Sequence, residues 1–127
     1  MANRRWRIRL SEAAEQDLVA LLQWTAEAFG IRQAQVYRDT LIAALVALSD
    51  GPNVPGSRPR DEILPGLRTL HVARGGRRGR HFVLYRVSDG DSIEVVRILH
   101  DAMELARHLP PEGPGPEGPQ AIGEAEL

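Results

Sequence analysis

The chain has no cysteine and no lysine among its 127 residues. The first absence excludes disulfide staples and thiolate chemistry. The second makes each of the 16 cations an arginine. A guanidinium fork suits phosphate and carboxylate recognition, but a GC-rich genome also replaces Lys by Arg throughout, so the lack of lysine alone assigns no function. No apolar run approaches the roughly 18 residues that cross a bilayer. The N-terminal MANRRWRIRL is basic and lacks the apolar stretch of a signal peptide. The histidines, at 71, 81, 100 and 108, show no metal-ligand spacing, so no zinc or other metal is expected. What remains is one small cytoplasmic domain, long enough to bury a modest core without staples.

Charge is unevenly placed. The net charge is -1, yet residues 110–127, PPEGPGPEGPQAIGEAEL, hold four of the 17 acids and no arginine. Residues 1–109 therefore carry 16 - 13 = +3. The segment from Pro110 is rich in Pro, Gly and Glu and poor in core-forming residues, which is the composition of a disordered tail. The expected organisation is a single domain over 1–109 followed by that tail.

Arg5 to Leu10 alternates strictly, with Arg5, Arg7 and Arg9 on one side and Trp6, Ile8 and Leu10 on the other. This is the period of a half-buried strand. Ser11 follows as a helix N-cap, with Glu12 and Glu15 in the first turn. Ala14, Leu18, Leu21, Leu22, Thr25 and Phe29 then mark one helical face. Gly30 supplies a left-handed stop, and a second helix from Ile31 to about Ser49 carries Ala34, Tyr37, Leu41, Ala44, Leu45 and Leu48. So short a connection makes an antiparallel hairpin. Trp6, Trp24, Phe29 and Tyr37 are all expected in the core.

Asp50 to Gly66 has four prolines and three glycines in 17 residues, long for a structureless loop. It reads either as a binding loop or as a connector packed over the sheet edge. Three strands follow, at about Leu67–Arg74, Arg80–Val87 and Ser92–Leu99. HFVLYRV is almost continuously apolar, as for a central strand, and Asp89-Gly90 is a hairpin signal. Asp101, with Glu104 three residues on, resembles a capping box for a short helix ending at Leu109. The order β-α-α-β-β-β(-α) predicts a two-layer α+β fold, an antiparallel sheet with the helical hairpin packed on it.

Arg74, Arg77, Arg78 and Arg80 flank the turn GGRRG, residues 75–79. They are the candidate partner-binding residues, with glycines that allow close backbone approach. The bland reading, a solvated turn, is equally open at this point.

The order of elements, with RIRLSEAAEQDLVALLQWTAEAFG, LPGLRTLHV and HFVLYRV…SIEVVRILHDAMELARHL, resembles the RelE/ParE family of bacterial type II toxins over residues 5–109. The ending Ile98-Leu99-His100 looks like the ParE branch. That resemblance implies a toxin without cofactor that arrests growth by contacting DNA gyrase and is neutralised by a cognate antitoxin in a hetero-oligomer. The alternative it implies is a RelE-like endoribonuclease acting on mRNA at the ribosome. RNA cleavage needs a base, an acid and a cation over the phosphate; Arg86, Arg97 and His100 are the candidates for that reading. His100 would share a face with Ile98 and Val96, and a structural histidine is the stronger reading. Without lysine, and without tyrosine beyond His100, the non-enzymatic ParE reading is favoured.

Overall fold

The computed structural model describes residues 5–102. β1 (Arg7–Leu10) runs into α1 (Glu12–Phe29) through Ser11, whose Oγ accepts the Ala14 N–H at 3.0 Å. Gly30, at φ 100°, is the single residue between α1 and α2 (Ile31–Ala47). An L side chain rarely takes that backbone, so the glycine sets the reversal. A short 3-10 turn over Leu48–Asp50 ends the hairpin.

Beyond it lie β2 (Arg58–Pro59), β3 (Arg68–His71), β4 (His81–Val87) and β5 (Ser92–His100). The sheet order is β1-β5-β4-β3-β2. HFVLYRV thus occupies the middle position, and His81 to Tyr85 are buried without interruption because both faces are covered. The α+β architecture follows expectation, with two refinements. The sheet is mixed, because β1 pairs with β5 in parallel while the other pairs are antiparallel. The Pro/Gly-rich connector is also not structureless. It supplies β2, an edge strand blunted by its length and by Pro59. Val54 enters the core, and Tyr85 Oη donates to the Pro52 carbonyl at 2.6 Å. The connector is packed over the sheet edge.

The core has two parts. On the helix side, Leu21, Leu41, Ala44 and Leu48 meet Leu70, Val72, Val83, Tyr85, Ile93, Val95 and Ile98. On the other side, Leu67, Phe82, Leu84, Val96 and Leu99 cluster with Ile63 and Leu64. The β4–β5 register slips between Leu84 and Tyr85, which face Arg97 and Val95, so Val96 is the extra residue of a β-bulge. The bulge sends Val96 to the second cluster while Ile98 stays on the helix side. His100 and Val96 therefore do not share a face, contrary to strict alternation. Ser11 Oγ donates to the Val96 carbonyl at 2.9 Å, taking up an acceptor at the bulge.

Phe29 corrects the expected core. Its helical angle is right, but the hairpin end is exposed: Phe29 is 61% and Ile31 65% accessible. Phe29 packs edge-on against Trp24, with ring centroids 5.8 Å apart. The short helix expected from Asp101 to Leu109 and the segment 110–127 lie outside the described residues.

Candidate functional site

The turn between β3 and β4 is held down onto α2 at one point. Gly79 lies so close to Tyr37 Oη and the Val72 side chain that a Cβ there would stand 2.6 Å from each. Tyr37 Oη accepts the Arg80 N–H at 3.0 Å and lies 2.8 Å from His81 Nδ1. Burial, and next the neighbouring His100 imidazole, push His81 down to a pKa of about 4. The ring is therefore neutral at pH 7, and the phenol, which stays protonated because burial raises its pKa, donates to Nδ1.

The remaining described histidines continue this end of the sheet. His81 and His100 meet edge to face at 5.3 Å. His100 Nδ1 accepts the Ala102 N–H at 3.1 Å. His71 Nδ1 accepts the Ala73 N–H at 3.0 Å, so its Nε2–H donates to Asp101 Oδ2 at 2.9 Å. Burial works against the Asp101 carboxylate. The His71 hydrogen bond and the Arg80 guanidinium outweigh it and hold its pKa below the usual range. Asp101 N–H also donates to the Arg80 carbonyl at 2.8 Å.

Beside this network lies a groove of about 330 Å³, lined by Thr25, Phe29, Gln33, Tyr37, Arg78, Gly79 and Arg80. Of the four hairpin arginines, Arg78 and Arg80 line it. Arg74 Nη2 donates to the Pro55 carbonyl at 3.1 Å, and Arg77 Nη1 reaches Thr40 Oγ1 at 3.5 Å. Arg78 is exposed. Arg80 Nε stands 3.6 Å from Asp101 Oδ1. The turn thus presents cations on a fixed backbone, and Asp101 is the carboxylate that compensates one of them.

The three residues of the ribonuclease reading are not brought together. Arg86 is bonded to Glu94 Oε1, with Nε and Nη2 both at 3.2 Å. Arg97 forms a two-pronged pair with Asp17 on α1, Nε to Oδ2 at 2.8 Å and Nη2 to Oδ1 at 2.9 Å. His100 is paired with His81 at the far end of the same ladder. Glu94 and His100 are six positions apart on β5, roughly 20 Å at strand rise.

Periodicity missed the partners that hold this region. Asp17 is 6% accessible and sits one turn from Ala14, on the helix face turned to the sheet. A carboxylate on a buried stripe is the signal of an ion pair, although the sequence does not name its partner. The Tyr37 ring is buried, as its place on the helical stripe predicts, and its hydroxyl has the positioning role.

Residues 8–105 match the family model described as ParE toxin of type II toxin–antitoxin system, parDE. The chain is 35% identical over 103 residues to Toxin ParE1 of Mycobacterium tuberculosis, covering 81% of this chain and 97% of that protein. It is 30% identical over 101 residues to Toxin ParE1 of Caulobacter vibrioides, covering 80% and 95%. Among solved structures, the chromosomal ParDE TA system from P. aeruginosa superposes with a TM-score of 0.63 at 22% identity, over 77% of this chain and 98% of that one. The toxin–antitoxin complex RelBE2 from M. tuberculosis gives a TM-score of 0.50 at 21% identity, over 78% and 94%. At these identities the two structures speak for the fold.

Proposed function

Since the chain belongs to the ParE toxin family of type II toxin–antitoxin systems, we propose that it arrests growth by protein–protein contact with DNA gyrase and that a cognate antitoxin masks it. The observation that carries a contact mechanism is the hairpin of Arg74, Arg77, Arg78 and Arg80. Tyr37 and Gly79 fix its backbone, and Arg78 and Arg80 border an apolar groove. Such a surface offers charge steering and a place for an apolar side chain. It is the surface that gyrase or an acidic antitoxin segment would use. The antitoxin reading draws further support from the ParDE and RelBE2 systems that share the fold.

The test is a supercoiling assay with purified gyrase and plasmid DNA, run beside a translating extract. Inhibited supercoiling or trapped cleaved DNA, with intact mRNA, supports the proposal. Codon-specific mRNA cleavage with unaffected gyrase refutes it and returns the ribonuclease reading.

A further inference from the structure

We propose that the groove between Phe29, Tyr37 and Arg78 is a docking site for this chain's own acidic segment, residues 112–127. The ligand class is an acidic peptide with a sparse aliphatic anchor, and the occupant is intramolecular. The contact goes beyond the toxin reading and does not depend on what the protein inhibits.

Charge is the first argument. From Ile63 to Ser88 the sequence holds six arginines and no carboxylate. Of these, Arg74 and Arg77 contact neutral oxygens. Arg78 has no carboxylate within ion-pair distance among the described residues. Residues 112–127 contain Glu112, Glu117, Glu124 and Glu126 and no cation. Each of the two stretches carries charge of one sign, and the signs are opposite.

Shape is the second. Phe29 and the Tyr37 ring give the groove an apolar lining beside Thr25 and Gln33, and Arg78 and Arg80 give it charge. Phe29 is left largely exposed there. The segment has a matching pattern: Ile122 and Leu127 are its only large aliphatic side chains, and Glu124 and Glu126 lie between them.

Position is the third. Asp101, next to the last described residue, donates its backbone N–H to the Arg80 carbonyl at 2.8 Å, and Arg80 lines the groove. The described residues therefore end close to the groove. Twenty residues lead from Ala102 to Ile122, a reach of up to about 70 Å, so the tether imposes no obstacle. It also holds the segment at an effective concentration on the order of millimolar, enough to populate weak, screened contacts. The family match ends at residue 105, and the two curated relatives are covered to 97% and 95% by the shared region. The segment is thus this chain's addition to the common domain. Any partner that needs the groove must displace it, which weakens that partner by the fraction of chains in which the groove is filled.

A spin label tests this directly, because the chain has no cysteine and Ala125→Cys creates a single thiol. The full chain is labelled there and its backbone amides are recorded at low salt. The expected result is a several-fold loss of signal at Phe29, Gly79 and Arg80, with the Asp89–Gly90 turn unaffected. The loss should be abolished in about 1 M salt, where the Debye length falls to roughly 3 Å. It should also be abolished by Glu117→Gln, Glu124→Gln and Glu126→Gln together, or by Arg77→Glu with Arg78→Glu, while the amide spectrum remains that of the folded protein. Broadening that is absent or spread evenly over the surface overturns the proposal. So does broadening that survives the Gln substitutions. Equal broadening when labelled chains are mixed with separate, unlabelled, isotope-enriched chains overturns it too, since the occupant is then a second copy.

Discussion

Asp17 stands in for a missing strand beside Arg97. The parallel pairing of β1 with β5 stops at Leu10 and Val95. Two residues beyond Val95, the Asp17 carboxylate takes both prongs of the Arg97 guanidinium and also accepts the Ile98 N–H at 2.9 Å. One side chain on α1 thus satisfies the sheet edge where β1 has run out. Removing one partner of a buried pair strands the other's polarity. Asp17→Ala should lower the unfolding free energy by about 3–5 kcal/mol, measured by urea denaturation. Asp17→Asn, which keeps an acceptor for the Ile98 amide, should lose less.

The Gly79 contact leaves no space for a methyl group. Gly79→Ala should force the turn away from Tyr37 and destabilise the fold by about 1–3 kcal/mol, the usual range for overpacking. Pairing it with Val72→Ala should recover part of the loss, because Val72 is one of the two side chains a Cβ would strike. Equal stability of Gly79→Ala and the parent protein would show that the turn is not fixed at this point.

His81 gives a stability profile with a defined sign. Its pKa falls from 6.5 to about 4 on folding, so the unfolded chain takes up the proton first as pH drops. The contribution is fully present above about pH 6.5 and is lost between there and about pH 4. The loss is on the order of 3 kcal/mol. His81→Asn, with an amide oxygen to receive the Tyr37 hydroxyl, should flatten the profile across that window. Chemical denaturation at a series of pH values reads both curves.

The helix faces make opposite claims for two residues of similar hydrophobicity. Leu41 is 1% accessible and Phe29 is 61%. Leu41→Ala should cost about 2–5 kcal/mol, and Phe29→Ala less than about 1 kcal/mol. Thermal melts of the two variants distinguish this assignment from one in which helical angle alone decides burial.

Arg77→Ala with Arg78→Ala should leave the melting temperature nearly unchanged, since both residues are exposed. The same change should weaken inhibition of the target, and the difference from the parent should shrink as salt is added. A supercoiling assay across a salt series provides the check.

Much of the architecture could be read from single segments. The alternation before Leu10, the Ser11 cap and the Gly30 reversal are local devices, and each stands where the residues place it. HFVLYRV is apolar on both sides because β4 is flanked by β3 and β5 and covered on both faces. What could not be read depends on partners remote in sequence. Asp17 and Arg97 are 80 residues apart. The Val96 bulge exists only in the register between two strands, so alternation along β5 alone misplaced Val96 relative to His100. The parallel place of β1 depends on where the chain returns. Of the site, the arginine turn was legible as a cluster. Its attachment through Tyr37 and Gly79 was not, because a glycine's neighbours cannot be seen in a linear pattern.

The parallel pairing of β1 with β5 also governs the order of events at the ribosome. Arg7–Leu10 leaves the exit tunnel before the other strands of the sheet, yet its ladder partners are Ser92–Val95. Until those residues are synthesised, the opening strand has no neighbour and the central strand lacks one of its two. Non-local closure of this kind is the slow part of folding. A nascent chain broken off before β5 therefore cannot assemble the sheet. The folded surface, the arginine turn included, is withheld until nearly the whole domain has been translated.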